Sequence, residues 1–249
     1  MPSKAILQKV SALSHKKFRD ELRLFVAEGD KLVEELLSSK LTIEHLFVTQ
    51  DSALANHKHQ QKELIGEKDM KRMSSLKTPS QSLAVIRIPQ SKLDKEMLKD
   101  RLTIVLDEIQ DPGNLGTIIR LADWFGITNI ICSPNTADCY NPKVVQATMG
   151  AIARINIHYT PLAEFLLSFS TDDIPIYGTF LDGSNIYNSK LSSNGLLVMG
   201  NEGSGISKEA ESLIQHRLHI PSFAQHGMGS ESLNVAIATA ICCSEFRRR

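Results

Sequence analysis

Cysteine and long apolar stretches are scarce in this sequence, and each scarcity excludes a class of protein. The four cysteines include no C-x-x-C pair, and Cys242 and Cys243 are adjacent, so neither a zinc ribbon nor a disulfide scaffold is expected. The longest largely apolar stretch, from Val235 to Cys243, is far shorter than the roughly 20 residues of a membrane span. We therefore expect reduced thiols, no bound metal, no signal peptide, no membrane association and a cytoplasmic location.

An excess of charge of one sign is also missing, because 28 Lys and Arg balance 28 Asp and Glu. A neutral total argues against a nucleic-acid partner, since such proteins are usually basic. The two parts of the chain differ, however. Residues 1–100 contain 18 cationic and 14 acidic side chains, and residues 101–249 contain 10 and 14. These excesses of +4 and −4 predict two surfaces with different tasks, and RNA affinity mainly within residues 1–95.

Hydrophobic periodicity in the first part predicts a small α/β domain over residues 1–95. Strands are predicted at 24–27, 43–48, 63–65 and 82–88. Helices are predicted at 30–38, from 51 onward and at 67–73. The polar residues 96–100 are predicted to link this domain to a second one at 101–249.

Short apolar strands alternate with amphipathic helices in the second domain, which predicts a mostly parallel sheet covered on both faces. Strands are predicted at 102–106, 129–132, 155–159, 174–177, 196–199 and 217–220. Helices are predicted at 114–125, 142–150, 161–169, 207–215 and 231–246. In such sheets ligands bind beyond the carboxyl ends of the strands, so the loops after residues 106, 199 and 220 are candidate site loops.

The first of these loops leads into a helix predicted to begin at Asn114, a residue type that is common at the N-cap. Arg120 lies outside the apolar stripe of this helix. Helical side chains lean toward the N-terminus, so its guanidinium is expected over Gly116, near the mouth of the loop. A solvated surface arginine is the alternative, although the helix dipole disfavours a cation close to a helix start.

The other two loops are rich in small and polar residues. The second, G-N-E-G-S-G-I-S (200–207), contains three glycines and Glu202 but neither a dinucleotide nor a P-loop fingerprint. The third leads into an apolar helix with Ser232 and Asn234 in its first turn, where helix capping from Ser230 is the simple alternative. His226, in that glycine-flanked loop, is expected to be solvated and not catalytic.

Together the three loops resemble the motifs of the SpoU-type RNA ribose 2′-O-methyltransferases of the SPOUT superfamily. The matching segments are D-P-G-N-L-G-T-I-I-R (111–120), V-M-G-N-E-G-S-G-I-S (198–207) and E-S-L-N-V-A-I-A-T-A (231–240). The segment F-V-A-E-G-D-K-L-V-E-E-L-L (25–37) resembles the substrate-binding domain that often precedes this catalytic domain. The loop after Ile220 is a few residues longer than the family pattern, with Phe223 to Met228 as the added residues.

This resemblance implies a deep trefoil knot, S-adenosylmethionine as the methyl donor, no metal and a homodimer. It implies that the donor contacts Gly200, Ile220 and Leu233. It implies that the active site contains Asn114, Arg120, Glu202, Ser232 and Asn234. The implied substrate is structured RNA, with ribosomal RNA favoured over transfer RNA by the N-terminal domain.

The implied chemistry fits these residue types. Methyl transfer requires two substrates to be positioned and a ribose hydroxyl to lose its proton. An arginine pKa above about 12 makes a neutral Arg120 an unattractive base, so we expect Arg120 to hold an RNA phosphate and stabilise developing alkoxide charge. The base is then the phosphate oxygen or a transiently neutral Arg120.

The remaining site residues have supporting roles in this scheme. Asn114 would orient Arg120 or the ribose, Glu202 would hold Arg120 or the loop backbone, and Ser232 and Asn234 would order the cleft. Two alternatives of other classes are a non-catalytic RNA-binding or ribosome-associated protein of the same fold and a dinucleotide-binding enzyme. The second is disfavoured because no strand is followed by G-x-G-x-x-G.

Overall fold

The computed structural model describes residues 2–90, 92–169, 174–224 and 232–248, which form two compact units. The first unit contains the described residues up to Gln90 together with Asp138–Arg154. The second contains the described residues of 91–137 and 155–249. The domain boundaries predicted above (1–95, 96–100 and 101–249) remain a prediction, and the structure adds that Asp138–Arg154 packs within the first unit.

Helices and strands alternate along most of the chain. The helices are α1 (Lys4–Ala12), α2 (Lys16–Leu22), α3 (Asp30–Leu37), α4 (Glu67–Met73), α5 (Pro112–Trp124), α6 (Pro142–Thr148), α7 (Leu162–Leu167), α8 (Lys208–Glu211) and α9 (Val235–Arg248). The strands are β1 (Leu24–Glu28), β2 (Ile43–Val48), β3 (Lys62–Leu64), β4 (Ser82–Arg87), β5 (Leu102–Leu106), β6 (Asn129–Cys132), β7 (Asn156–Tyr159), β8 (Ile176–Asn185), β9 (Gly195–Met199) and β10 (His216–His219).

The first unit is built on a four-stranded mixed sheet in the order β1-β4-β2-β3. Only β2 and β3 are parallel in this sheet. Alternate strand residues face opposite sides, so Val26 packs with α1 and α4 while its neighbours point the other way. Helix α1 was not predicted, although Ser3 caps it by accepting a hydrogen bond from the Ile6 amide at 3.3 Å and Leu7 and Val10 form its buried stripe.

One predicted helix of the first unit is absent. Residues after Asp51 form turns, because the Asp30 carboxylate accepts hydrogen bonds from the Ser52 hydroxyl and the Ala53 amide, both at 2.8 Å. Asp and Ser favour turns for this reason, and the short polar segment has no apolar stripe to oppose the preference. The prediction of a helix from residue 51 was wrong.

A buried ion pair fastens Asp138–Arg154 to the first unit. The Arg19 side chain is only 2% exposed, and its Nε and Nη2 donate to Asp138 Oδ2 at 3.0 and 2.6 Å. Its Nη1 donates to the carbonyl oxygens of Leu13 and Ser14 at 2.8 and 2.9 Å. A buried guanidinium is tolerated only where its donors are satisfied in this way.

The second unit confirms the predicted α/β class. Its six strands are all parallel and lie in the order β10-β8-β9-β5-β6-β7. All residues of the central strands β5 and β9 are buried, as is typical of a parallel sheet covered on both faces. Strand β8 is longer than predicted and α8 shorter, and the trefoil knot remains a prediction.

Burial also determines the state of the cysteines. All four cysteines are buried, and none of them forms a disulfide. Burial raises the pKa of Cys243 to about 12 and the pKa of Cys242 in the same direction, so both stay protonated and unreactive at neutral pH. Among the described residues, no helix is long and apolar enough to cross a membrane, and no group of three His, Cys, Asp or Glu side chains is arranged to hold a metal.

The substitution Asp138→Asn should lower the free energy of unfolding by about 3 kcal/mol, because it leaves the buried Arg19 charge without a counter-ion. Urea denaturation of the full chain measures this loss. The control is Asp20→Asn, which removes an ion pair with Lys16 whose side chains are 63% and 56% exposed, and which should cost about 0.5 kcal/mol or less. Equal small losses in both variants would contradict a structural role for the buried pair.

Candidate active site

The three loops predicted to form a site lie at one edge of the parallel sheet, where β5, β9 and β10 end. A cavity of about 810 Å³ opens at this edge, a volume typical of small-molecule sites. Its walls come from the end of β9 and the loop that follows, from β8, from the loop after β10 and from the start of α9. The described lining residues are Thr179–Leu181, 199–206, Glu211, Arg217, 219–223, Ser232, Leu233, Val235 and Ala238.

The three predicted donor-contact residues, Gly200, Ile220 and Leu233, all line this cavity. Gly200 can only be glycine, since a Cβ there would lie 2.4 Å from the carbonyl carbon of Gly205 and the amide nitrogen of Ile206. The absent side chain lets the two ends of the loop pack backbone against backbone. A narrow backbone bridge closes the loop, with hydrogen bonds of 2.9 Å in both directions between Asn201 and Gly205.

Two residues that the sequence interpretation missed hold the second loop in place. Asp107 is 3% exposed, and its Oδ2 accepts hydrogen bonds from the Ser207 amide at 2.8 Å and hydroxyl at 2.7 Å. Asn201 donates from Nδ2 to the Glu108 carbonyl oxygen at 2.7 Å. The position of Asp107 directly after a buried strand was the available signal, because a buried carboxylate needs donors.

Glu108 has a φ of 55°, in the left-handed region that non-glycine residues rarely adopt. Its amide donates to the Ser133 hydroxyl at 2.8 Å, and its carboxylate accepts from Asn135 Nδ2 at 2.7 Å. Left-handed geometry costs such a residue roughly 1–2 kcal/mol, which these surrounding bonds offset. The chain direction leading into α5 is thereby fixed.

The prediction that Asn114 caps α5 was wrong. The helix begins at Pro112, and Asp111 is its N-cap, with Oδ1 accepting from the Asn114 amide at 2.8 Å. Proline suits the first helical position because its missing N–H would have no helical partner there. Asn114 therefore lies inside the first turn, and its side chain is available for other contacts.

Those contacts join the three loops. Asn114 Nδ2 donates to Glu202 Oε1, and Asn114 Oδ1 accepts from Asn234 Nδ2 at 2.9 Å. Asn234 in turn caps α9, since its Oδ1 accepts from the amides of Ala236 at 3.0 Å and Ile237 at 3.3 Å. We call Asn114, Glu202 and Asn234 the asparagine–glutamate cluster.

The remaining predicted site residues lie outside this cluster. Ser232 is exposed and lines the cavity. Arg120 is exposed on α5 and makes no hydrogen bond or ion pair with another described residue. It follows Asn114 by six positions, which places it about 120° around the helix. Glu202 was expected to hold Arg120 or the loop backbone. In the structure its carboxylate instead accepts a hydrogen bond from the Asn114 side-chain amide. His226, Ser230 and the predicted helix start at Glu231 lie outside the described residues.

A charged wall on β8 and β10 was not predicted. The Arg217 guanidinium lies 3.6 Å from the centre of the Phe180 ring and forms ion pairs of 2.5 Å with Asp182 and Glu211. Hydrogen bonding from Arg217 lowers the pKa of Asp182. His219 lies beside the same segment, with Nδ1 3.2 Å from the Phe180 carbonyl oxygen.

The fold and the site define an α/β protein with a small-molecule cavity at the carboxyl edge of a parallel sheet. Comparison with known proteins gives the family. Residues 101–244 match the SpoU rRNA methylase family, so the chain belongs to that family. Residues 4–84 match an MRM3-like substrate binding domain.

The chain is similar over almost its whole length to individual members. It is 30% identical over 238 residues to the 23S rRNA (guanosine(2553)-2′-O)-methyltransferase RlmP of Bacillus subtilis, covering 94% of this chain and 93% of that protein. Among solved structures, a TrmH-family protein of Porphyromonas gingivalis is 39% identical, with a TM-score of 0.88 and 100% and 99% of the two chains covered. The AdoMet-bound rRNA methyltransferase of Sinorhizobium meliloti is 29% identical, with a TM-score of 0.85 and coverage of 100% and 97%.

Replacing Asp107 by Ala should lower the free energy of unfolding by about 2 kcal/mol, because the Ser207 amide and hydroxyl lose their acceptor. Amide hydrogen exchange within residues 200–207 should accelerate. Ser204→Ala is the control, since that exposed hydroxyl has no partner among the described residues. Unchanged exchange in Asp107→Ala would show that the carboxylate does not hold the loop.

Proposed function

We propose that this protein transfers a methyl group from S-adenosylmethionine to a ribose 2′-hydroxyl in structured RNA, with ribosomal RNA as the substrate. The asparagine–glutamate cluster at the rim of the cavity is the observation that carries this proposal. It joins residues of all three family motifs at one place, and the whole-length relative from Bacillus subtilis is named for this reaction.

The cavity fits the proposed methyl donor. Its volume of about 810 Å³ suits a ligand of this size, and Gly200, Ile220 and Leu233 all line it, which allows their backbone groups to contact a purine edge. Leu181 and Phe223, which are 71% and 90% exposed, add apolar surface at the rim. Gly200, Ile220 and Leu233 would hold the donor, which when bound supplies the activated methyl group.

The protein's own contribution is positioning. Both functional groups of the Asn114 amide are engaged by Glu202 and Asn234, so its orientation is fixed before any substrate binds. Such preorganisation is the main way in which a protein accelerates a two-substrate transfer. Asn114 and Ser232 then border the place where the ribose enters, while Glu202 and Asn234 order the cleft.

Arg120 is proposed to bind the RNA phosphate next to the reacting ribose and to stabilise charge on its oxygen. Its freedom from described partners leaves the guanidinium available for this contact, and a bidentate fork suits phosphate. Since arginine has a pKa above about 12, the phosphate oxygen is the base that requires no neutral guanidinium.

Three further attributes belong to the proposal. A homodimer is supported by Trp124 and Ile237, 84% and 53% exposed on the packed helices α5 and α9. A cytoplasmic location is supported by four buried cysteines that form no disulfide. Ribosomal rather than transfer RNA is supported by the match of residues 4–84, with transfer RNA methylation and a non-catalytic role on the ribosome as the alternatives.

The substitution Gly200→Ala should reduce S-adenosylmethionine affinity at least tenfold, because the added methyl group forces the backbone at 205–206 to move. Isothermal titration calorimetry measures this. Gly203→Ala is the matched control, since a Cβ at Gly203 would meet only Asn201 Oδ1 at 3.5 Å, an ordinary contact. Similar losses in the two variants would argue against a close donor approach at residue 200.

The reaction itself is tested by mapping 2′-O-methyl positions in ribosomal and transfer RNA from cells with the wild-type gene, without it, or with Arg120→Ala. We expect one ribosomal position to lose its methyl group in the last two strains. Purified Arg120→Ala should lose about 10²–10³ in kcat, as expected for removing a transition-state charge contact, and keep its donor affinity.

Arg101→Ala removes an exposed arginine of the same unit that hydrogen-bonds Thr128, and serves as the control with normal turnover. An unchanged methylation map would overturn the enzyme assignment. Loss of donor affinity without loss of turnover would overturn the role of Arg120.

A further inference from the structure

Helices α1 and α4 share one face of the first unit's sheet. Leu7 and Val10 of α1 and Met70 and Met73 of α4 are buried in the same apolar cluster. Because both helices bury their apolar sides against the sheet, their outward sides form one continuous surface. We call the outward charged residues of these two helices the α1/α4 surface.

This surface is basic. Helix α1 contains no acidic residue, and α4 contains two. The exposed cations are Lys4, Lys9, Lys68, Lys71 and Arg72, and the carboxylates are Glu67 and Asp69. Five cations against two carboxylates leave +3. Arg72 pairs with Asp69 at 3.4 Å, while the four lysines make no ion pair with a described residue.

The opposite face of the same sheet has a different charge. It is covered by α3 and α6, which contact β1 and β4. These helices contain three carboxylates and two lysines, a net charge of −1: Asp30, Glu34, Glu35, Lys31 and Lys143. Of the two helix pairs that cover the sheet, only α1 and α4 therefore carry a positive net charge.

The lack of exposed apolar side chains and the excess of lysines on the α1/α4 surface indicate what it binds. None of the large apolar side chains that are exposed in the described chain lies within α1 or α4. Protein partners usually require such aromatic or aliphatic anchors, so a protein interface is disfavoured. Unpaired lysines are point charges that suit phosphate oxygens and release counter-ions on contact with a polyanion.

We propose that the α1/α4 surface binds the phosphodiester backbone of the RNA substrate, without reading its bases. The proposal rests on the proposed function, and it identifies which face of the first unit holds the RNA. The contacts set affinity and orientation, and selection of the methylated nucleotide is left to the cavity in the second unit.

The test uses the full chain and 23S rRNA transcribed in vitro, with filter binding measured over a range of NaCl concentrations. Lys68→Gln/Lys71→Gln should weaken binding about tenfold or more at low salt and lower the slope of log K against log salt by about 1.8, if each lysine contacts one phosphate. The charge-preserving variant Lys68→Arg/Lys71→Arg should bind like wild type.

The matched control is Lys31→Gln/Lys143→Gln, which removes the same charge from the opposite face and should leave binding within about twofold of wild type. In methyl-transfer assays the variant Lys68→Gln/Lys71→Gln should show a higher KM for RNA and an unchanged kcat and donor affinity. Equal weakening by the two glutamine variants, or none by either, overturns the proposal. Normal RNA binding by a wild-type protein that transfers no methyl group would contradict the proposed function alone.

Discussion

The parallel pairing of β5 with β9 is the constraint on which the candidate site depends. The register places Leu106 opposite Met199, so both strands end at the same level and their loops emerge side by side. The Asp107 amide extends the pairing by one step, donating to the Met199 carbonyl oxygen at 2.9 Å. In an antiparallel pair these loops would leave at opposite edges, and residues some 90 positions apart in sequence would have no reason to meet.

The loop after β5 organises its neighbours through three of its residues. Asp107 holds Ser207, the Glu108 carbonyl oxygen holds Asn201, and Asp111 starts α5. Of these three residues of the loop after β5, only Asp107 is buried, which makes it the least replaceable. The cavity edge is thus maintained by polar contacts between loops, while the apolar core beneath supplies the free energy that keeps the strands in register.

The sequence was sufficient to predict the strands of the second unit except for the length of β8, because buried parallel strands form short apolar runs with clear ends. Leu102–Leu106 and Asn129–Cys132 were predicted to the residue. Helix ends were less well predicted, since Asp111 and Asn114 are both good capping residues and local preference alone does not choose between them. The prediction of a helix after Asp51 was wrong for a related reason. The turns that form there are stabilised by Asp30, which is distant in sequence.

The site residues illustrate the same limit. Gly200, Glu202 and Asn234 were selected from motifs, but the bond between Asn114 and Glu202 spans 88 residues and could not be inferred from spacing. Arg19 and Asp138 are further apart still, and nothing in their local sequence marks them as a pair. Long-range polar contacts depend on where the strands place their ends, so they become predictable only after the topology is known.

The net charge of the whole chain conceals two differences in charge, one between the two parts of the chain and one between two surfaces of the first unit. The neutral total divides into a cationic first part and an acidic second part, and within the first unit the α1/α4 surface carries a net charge of +3 while helices α3 and α6 carry −1. Electrostatic attraction between exposed charges falls off over about 8–10 Å at physiological salt, which is comparable to the spacing of neighbouring helices. A polyanion is therefore attracted by the charges on the face that it approaches and not by the net charge of the whole protein. A protein of zero net charge can thus bind RNA at one surface without attracting it at the others.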